Sequence, residues 1–362
     1  MNHHRSFRVY PTVSGRARRL MLGVTTIFAM ALGMGGVGAA TAAADTVIDT
    51  IPVGNAPQGV AITSDGSHAY VTNIDDGTVS VIETAGNTVA ATVPVGVSPL
   101  GVAVTPDGSH AYVTNSGDGS VSVIETAGNT VATTVAVGNS PVGVAVTPDG
   151  SHAYVTNLFD GSVSVIETAG NTVATTVPVG VFPFGVGVTP DGSHAYVVNS
   201  GDGSVSVIET AGNTVIDTVT VGDNPRRVAI TPDGSHAYVT NRVGNSVSVI
   251  ETAGNTVVDT VPVGNDPDGV AITPDGSRVY VANGSDGSVS VIETAGNTVI
   301  ETVPVGVFPL GVAITPDGSH AYVANRDDGT VSVIAIETCL GSLCLDFGSL
   351  TGSGSGAGSV FS

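Results

Sequence analysis

The sequence contains no tryptophan and no lysine, and only 4% of its 362 residues are aromatic and 11% charged. The two cysteines, Cys339 and Cys344, lie near the C-terminal end, so no disulfide framework can hold the bulk of the chain together. A hydrophobic content of 41% instead supplies apolar material for a buried core. The basic residues are ten arginines against 31 acids, and Arg5, Arg8, Arg16, Arg18 and Arg19 all precede residue 20. No acid occurs in the first 44 residues, so beyond them five arginines face 31 acids, a net charge of −26. A surface this acidic repels phosphate backbones, so no nucleic-acid partner is expected. The acidity also serves solubility.

The first 44 residues read as an export signal. A basic stretch ends at Arg19, a glycine-rich apolar stretch runs from about Leu20 to Val37, and Ala42-Ala43-Ala44 fits a cleavage site before Asp45. Arg18-Arg19-Leu20-Met21-Leu22 is loosely similar to a twin-arginine signal but lacks its flanking lysine, so the twin-arginine route, the general secretory route and an uncleaved anchor all remain open. Gly33-Met34-Gly35-Gly36-Val37-Gly38 matches G-x-G-x-x-G in form only, because it follows no strand and lies inside the apolar stretch. The expected location is therefore secreted or cell-envelope, with no integral membrane segment after cleavage. An oxidising compartment would allow a local Cys339–Cys344 disulfide outside the main body. Neither cysteine has a nearby histidine to make it a nucleophile.

A repeat dominates what is present. Tyr70, Tyr112, Tyr154, Tyr196, Tyr238, Tyr280 and Tyr322 recur every 42 residues, and Pro57, Pro99, Pro141, Pro183, Pro225, Pro267 and Pro309 keep step with them. In the second copy four strands are expected. They are a over Gly101–Thr105, b over His110–Thr114, c over Ser120–Thr126 and d over Thr130–Val137. Valine, isoleucine, tyrosine and threonine fill the strands, and Asp-Gly and Gly-Asn pairs fill the turns. The short turns imply antiparallel hairpins, which argues against a parallel solenoid. Strand d carries a proline in most copies, which marks it as a sheet edge. The repeats begin with a lone d strand, Thr46–Val53, and finish with strands a, b and c near Ile336. The fold expected is all-β: a seven-bladed β-propeller of four-stranded antiparallel blades, closed by pairing of the N- and C-terminal strands. It should occupy residues 45–337, followed by a Gly/Ser-rich flexible tail over 338–362.

Tyr112-Val113-Thr114-Asn115 and its copies at Tyr70, Tyr154 and Tyr238, with the Pro106-Asp107-Gly108-Ser109 turn, resemble the repeat of the YVTN-type β-propeller family. That resemblance covers about residues 45–337. It implies kinship with surface-layer and other cell-envelope proteins, and with a wider superfamily that includes lactonases and heavy subunits of quinoprotein dehydrogenases. Fold alone does not choose among these.

The candidate sites differ in promise. His68, His110, His152, His194, His236 and His320, with Arg278 in the sixth copy, share one repeat position at the start of strand b. Sevenfold geometry keeps them too far apart to share a metal, so no metal or other cofactor is expected. Aspartates such as Asp107, Asp149 and Asp191 are expected to accept hydrogen bonds inside their turns. Strand a reads as nearly the same in every copy, so no asymmetric catalytic constellation is expected in the channel, and the chain leans away from an enzyme. Variation is concentrated in the d–a and b–c loops, which should share one face, while the a–b and c–d turns on the other face scarcely change.

Two groups on the variable face stand out as candidate interaction sites. Leu158, Phe159, Phe182 and Phe184 are expected to form an exposed apolar patch. Arg226, Arg227 and Arg242 gather in the fifth copy, where Arg227 replaces a glycine found in the other six, and they suit an anionic ligand. The competing expectation is that they pair with Asp223, Asp266 or Asp268 in surface salt bridges. The leading functional reading is a binding or cell-envelope interaction scaffold whose partner is a protein, a glycan or a small anionic ligand. Alternatives are a lactonase-like or quinoprotein-related enzyme and a purely structural repeat protein.

Overall fold

The computed structural model describes residues 44–337 and two short strands, Cys339–Leu340 and Leu343–Cys344. Residues 1–43, nearly all of the expected export signal, and most of the tail lie outside the described residues. Seven four-stranded antiparallel sheets follow one another, each ordered a-b-c-d. Blades 1 to 6 take residues 57–94, 99–136, 141–178, 183–220, 225–262 and 267–304. Blade 7 takes strands a to c from residues 309–335 and its d strand from Thr46–Pro52 at the other end of the chain. That strand pairs antiparallel with Thr330–Ala335, from Thr46 opposite Ala335 to Pro52 opposite Thr330. The ring thus closes by the expected pairing, which leaves no blade with its third strand unpaired. In the last short ladder Cys339 stands opposite Cys344 in backbone register.

Strands b and c are buried almost throughout, and d is mostly exposed apart from one inward valine or isoleucine per blade. The core is therefore a set of interfaces between neighbouring blades. Tyr70, Val79, Val81 and Val93 of blade 1 pack on Ala111, Val113 and Ile124 of blade 2. At the closing joint Tyr322, Val331 and Val333 pack on Ala69, Val71 and Ile82, with Ile51 of the N-terminal strand among them. Each interface is also bolted by a hydrogen bond. Tyr70, Tyr112, Tyr154, Tyr196, Tyr238 and Tyr322 donate their hydroxyls to Asn129, Asn171, Asn213, Asn255, Asn297 and Asn87 in the c–d turn of the next blade, at 2.6 to 2.8 Å. Those asparagines hold φ near +50°, a left-handed conformation that asparagine tolerates.

The two faces separate as expected. On one, the c–d turn hangs on the a–b turn: Thr84 donates its N–H to Ser67 O at 3.0 Å and its hydroxyl to Gly66 O at 2.6 Å. On the other, the b–c loop binds the d–a linker, as in Ser116 N to Ser98 O at 3.1 Å. The linker residue before each inner-strand proline has φ between +52° and +56°, although none is glycine. Two of these are Phe182 and Phe308, so bulky side chains are held in a strained left-handed backbone on the variable face.

Candidate functional site

Inner strands meet around the channel with almost no space between them. A Cβ placed on Gly101 would lie 2.4 Å from Val142 O of the next blade, and one on Gly311 would lie 2.0 Å from Gln58 O. Thr114 spans the same gap, accepting from Gly101 N at 2.8 Å and donating to Val142 O at 2.8 Å. The residue between the proline and this glycine sits at the end of strand a nearest the variable face. It is Gln58, Leu100, Val142, Phe184, Arg226, Asp268 and Leu310 in the seven blades. The expected uniformity of the inner strands fails most widely at this position. The channel mouth is asymmetric, apolar over Leu310, Leu100, Val142 and Phe184 by chemistry, and charged or polar at Arg226, Asp268 and Gln58. Reading variation only in loops hid this ring. The signal was one variable residue between an invariant proline and a nearly invariant glycine.

The three arginines of blade 5 converge on that mouth. The Arg226 guanidinium lies 4.4 Å over the Phe184 ring, and that of Arg227 lies 5.2 Å from it. Arg227 Nε stands 3.5 Å from Asp268 Oδ1, and Arg242 Nε stands 3.5 Å from Asp266 Oδ1. Salt bridges to two of the three expected aspartates therefore form. They are long: Asp268 Oδ1 lies within ion-pair distance yet has no partner of hydrogen-bond geometry. Arg226 has no such carboxylate, and its buried Nε has no hydrogen-bond partner among the described residues. Burial lowers its pKa, Asp268 opposes the shift, and the like charges of Arg242 and Arg227 add to it. Of the three guanidiniums, those of Arg227 and Arg242 are ion-paired with Asp268 and Asp266.

Blade 5 is locally rebuilt to make room. Arg227 carries a Cβ where its six counterparts have none, and its N–H reaches Thr240 Oγ1 at 3.1 Å, against 2.8 Å at Gly101. In most blades the b–c aspartate grips the blade's own d–a linker, as Asp118 does at Val97 N, 3.0 Å away. Blade 5 has Gly244 there, and Asn245 reaches forward instead, accepting from Asp266 N at 3.1 Å.

The apolar patch is smaller than expected. Phe159 and Phe182 are 62% and 47% exposed and meet edge to face with centroids 6.2 Å apart. Leu158 is half-buried beside Phe159. Phe184 does not belong to the exposed surface. It is 9% exposed, because the bulge between Pro183 and Val186 places it at the inner rim beneath Arg226. Phe184 therefore belongs with the arginines, and Phe159 and Phe182 with Leu158 remain as a smaller exposed group on the same face.

The constant face is built from turn chemistry. Asp107 Oδ1 accepts from Thr105 Oγ1 at 2.6 Å and Ser109 N at 3.0 Å, while Ser109 Oγ meets His110 Nδ1 at 2.7 Å. Among the described residues no three side chains of ligand type gather to hold a metal. The Thr105 hydroxyl, with help from Ser109, lowers the Asp107 pKa to about 2, and Asp65, Asp149, Asp191 and Asp233 behave alike. An unfolded aspartate titrates near ~3.9. Depressed folded values mean that this contribution is present above about pH 4 and is lost as pH falls toward 2. Melting temperatures measured from pH 5 to pH 2 should therefore fall steadily below pH 4. Asp107→Asn and its counterparts combined should flatten that slope, and an unchanged slope would show that these turns do not govern acid stability.

Fold and mouth together define a seven-bladed propeller with one asymmetric rim. The family described as "Lactonase, 7-bladed beta-propeller" matches residues 88–352, and the chain belongs to it. No curated protein matches the sequence. Among solved structures, hydrazine synthase from Kuenenia stuttgartiensis is similar at TM-score 0.72 and 26% identity, over 78% of this chain and 96% of that one. As many as 1726 solved chains match, so the architecture alone selects no chemistry.

Proposed function

We propose that this is an exported propeller of the YVTN type that binds a small anionic ligand at the channel mouth on its variable face. The observation that carries the reading is Arg226, a partly buried guanidinium stacked on Phe184, with an unpartnered Nε in a strongly acidic protein. Desolvating a cation without a matching anion is costly, and a carboxylate or phosphate would accept from the guanidinium fork. The exposed Phe159–Phe182 pair would hold an apolar portion of the same ligand. A second reading, hydrolysis of a lactone at this mouth, is favoured by the family to which the chain belongs.

Calorimetry with small carboxylates, phosphates and acidic glycans tests the binding reading, and product analysis with a lactone panel tests hydrolysis. Hydrogen bonds to charged groups contribute about 1.5–3 kcal/mol each. Arg226→Ser, Arg227→Ser and Arg242→Ser combined should therefore weaken the best ligand by about 100-fold or more. Unchanged affinity in the triple variant would remove the arginines from the site. Turnover of a lactone by the unaltered protein would move the assignment to the second reading.

A further inference from the structure

Blade 7 lacks the c–d turn that the other six possess, because its c and d strands come from opposite ends of the chain. Tyr280 of blade 6 therefore has no turn asparagine to meet. Its hydroxyl donates instead to Asp45 Oδ2 at 2.5 Å. The same carboxylate accepts from Glu337 N at 2.8 Å and lies 3.4 Å from Arg278 Nη1. The Asp45 side chain is 0% exposed, whereas Ala44 before it is exposed. Arg278 stands where the six other blades carry histidine, so the one departure from that pattern places a cation beside the one turn position occupied by an acid. The backbone nitrogen of Asp45 points at a second acid, with Glu301 Oε2 at 3.2 Å.

This clasp has two carboxylates, Asp45 and Glu301, and one guanidinium. With residue 44 attached, the Asp45 nitrogen is a neutral amide, and the acids, with Asp275 also acting on Arg278, outnumber the one guanidinium. Burial raises the Glu301 pKa, and the charge on Asp45 works in the same direction. We propose that the peptide bond between Ala44 and Asp45 is the processing site, and that the α-ammonium freed on Asp45 is a working part of the ring closure, paired with Glu301. Hydrolysis by a leader peptidase breaks the C–N bond with one water, leaving a carboxylate on Ala44 and an amine on Asp45. The amine takes up a proton at neutral pH. Processing thereby converts a neutral donor into the missing cation and ties maturation to closure of the ring. The inference shares only the export premise with the ligand reading and none of its residues.

The test uses residues 45–362 with a free Asp45 amine, released by a site-specific protease in vitro, beside the same chain with its amine acetylated. The free form should melt about 2–4 °C higher at pH 7. A folded-state pKa raised by Glu301 makes this advantage complete below the unfolded value of about 8 and lost as pH rises through the folded one, so it should vanish by pH 10 or above. Glu301→Gln should abolish the difference between the two forms while leaving the acetylated form nearly unchanged. Equal melting temperatures at every pH would overturn the clasp, whatever ligand the protein binds. N-terminal sequencing of the exported protein should read from Asp45, and any other start would overturn the processing site.

Discussion

Removing residues 45–54 is expected to leave a chain that cannot hold its ring. The deleted strand supplies the whole ladder to Thr330–Ala335 and places Ile51 in the joint between blades 7 and 1. It also carries Asp45, the acceptor for Tyr280. Without it, strand c of blade 7 becomes an edge, and Val331, Val333 and Ile334, all fully buried, lose cover on one side. Burying one isoleucine contributes about 1.5–3 kcal/mol. Each of several ladder hydrogen bonds contributes about 0.5–1.5 kcal/mol. The combined loss approaches the ~5–15 kcal/mol by which whole domains are stable. The truncated protein should melt at least about 10 °C lower and associate through its open edge, as read by circular dichroism and size-exclusion chromatography. A monomer with an unchanged melting temperature would mean that the seven blades do not depend on closure.

The elements that could be read from sequence are those that repeat. Strand b is expected over His110–Thr114 and observed over His110–Asn115, because Pro106-Asp107-Gly108-Ser109 before it is a turn by chemistry alone. Strand a is expected over Gly101–Thr105 and found over Pro99–Val104, with a bulge between Pro99 and Val102. A bulge adds a residue without changing composition, so hydrophobic pattern does not announce it. The same bulge in blade 4 carries Phe184 out of the exposed patch and under Arg226. The gathering of Arg226, Arg227 and Arg242 was visible from their unusual concentration in one copy. Their relation to Phe184 and Asp268 needed the order of blades in space. The Arg278–Asp45 pair joins residues 233 positions apart, and only closure of the ring brings them together.

The inner ring also makes a strong prediction about a single methyl group. A Cβ on Gly101 would lie 2.4 Å from Val142 O, on Gly143 2.4 Å from Phe184 O, and on Gly269 2.1 Å from Leu310 O. These neighbours are backbone atoms of the adjoining blade and cannot swing aside. Gly101→Ala must therefore push blades 2 and 3 apart or break the Thr114 bridge to Val142 O. Blade 5 shows the direction of the change, since Arg227 with its Cβ has the longer 3.1 Å bond to Thr240. The Thr240 bridge to Asp268 O survives there at 2.7 Å, beside a b–c loop rebuilt around Gly244 and Asn245. Overpacking costs about 1–3 kcal/mol, and weakening a buried hydrogen bond adds roughly 1 kcal/mol. Gly101→Ala is accordingly expected to lose about 2–4 kcal/mol, read as a lower urea midpoint at constant slope. Gly128→Ala, in a c–d turn where the nearest atom to a new Cβ is Thr130 Oγ1 at 3.5 Å, is the matched control. It should change stability by no more than about 0.5 kcal/mol. Equal midpoints for the two variants would mean that the inner strands are not in contact around the channel, and the mouth formed by Phe184, Arg226 and Asp268 would lose its rigid frame.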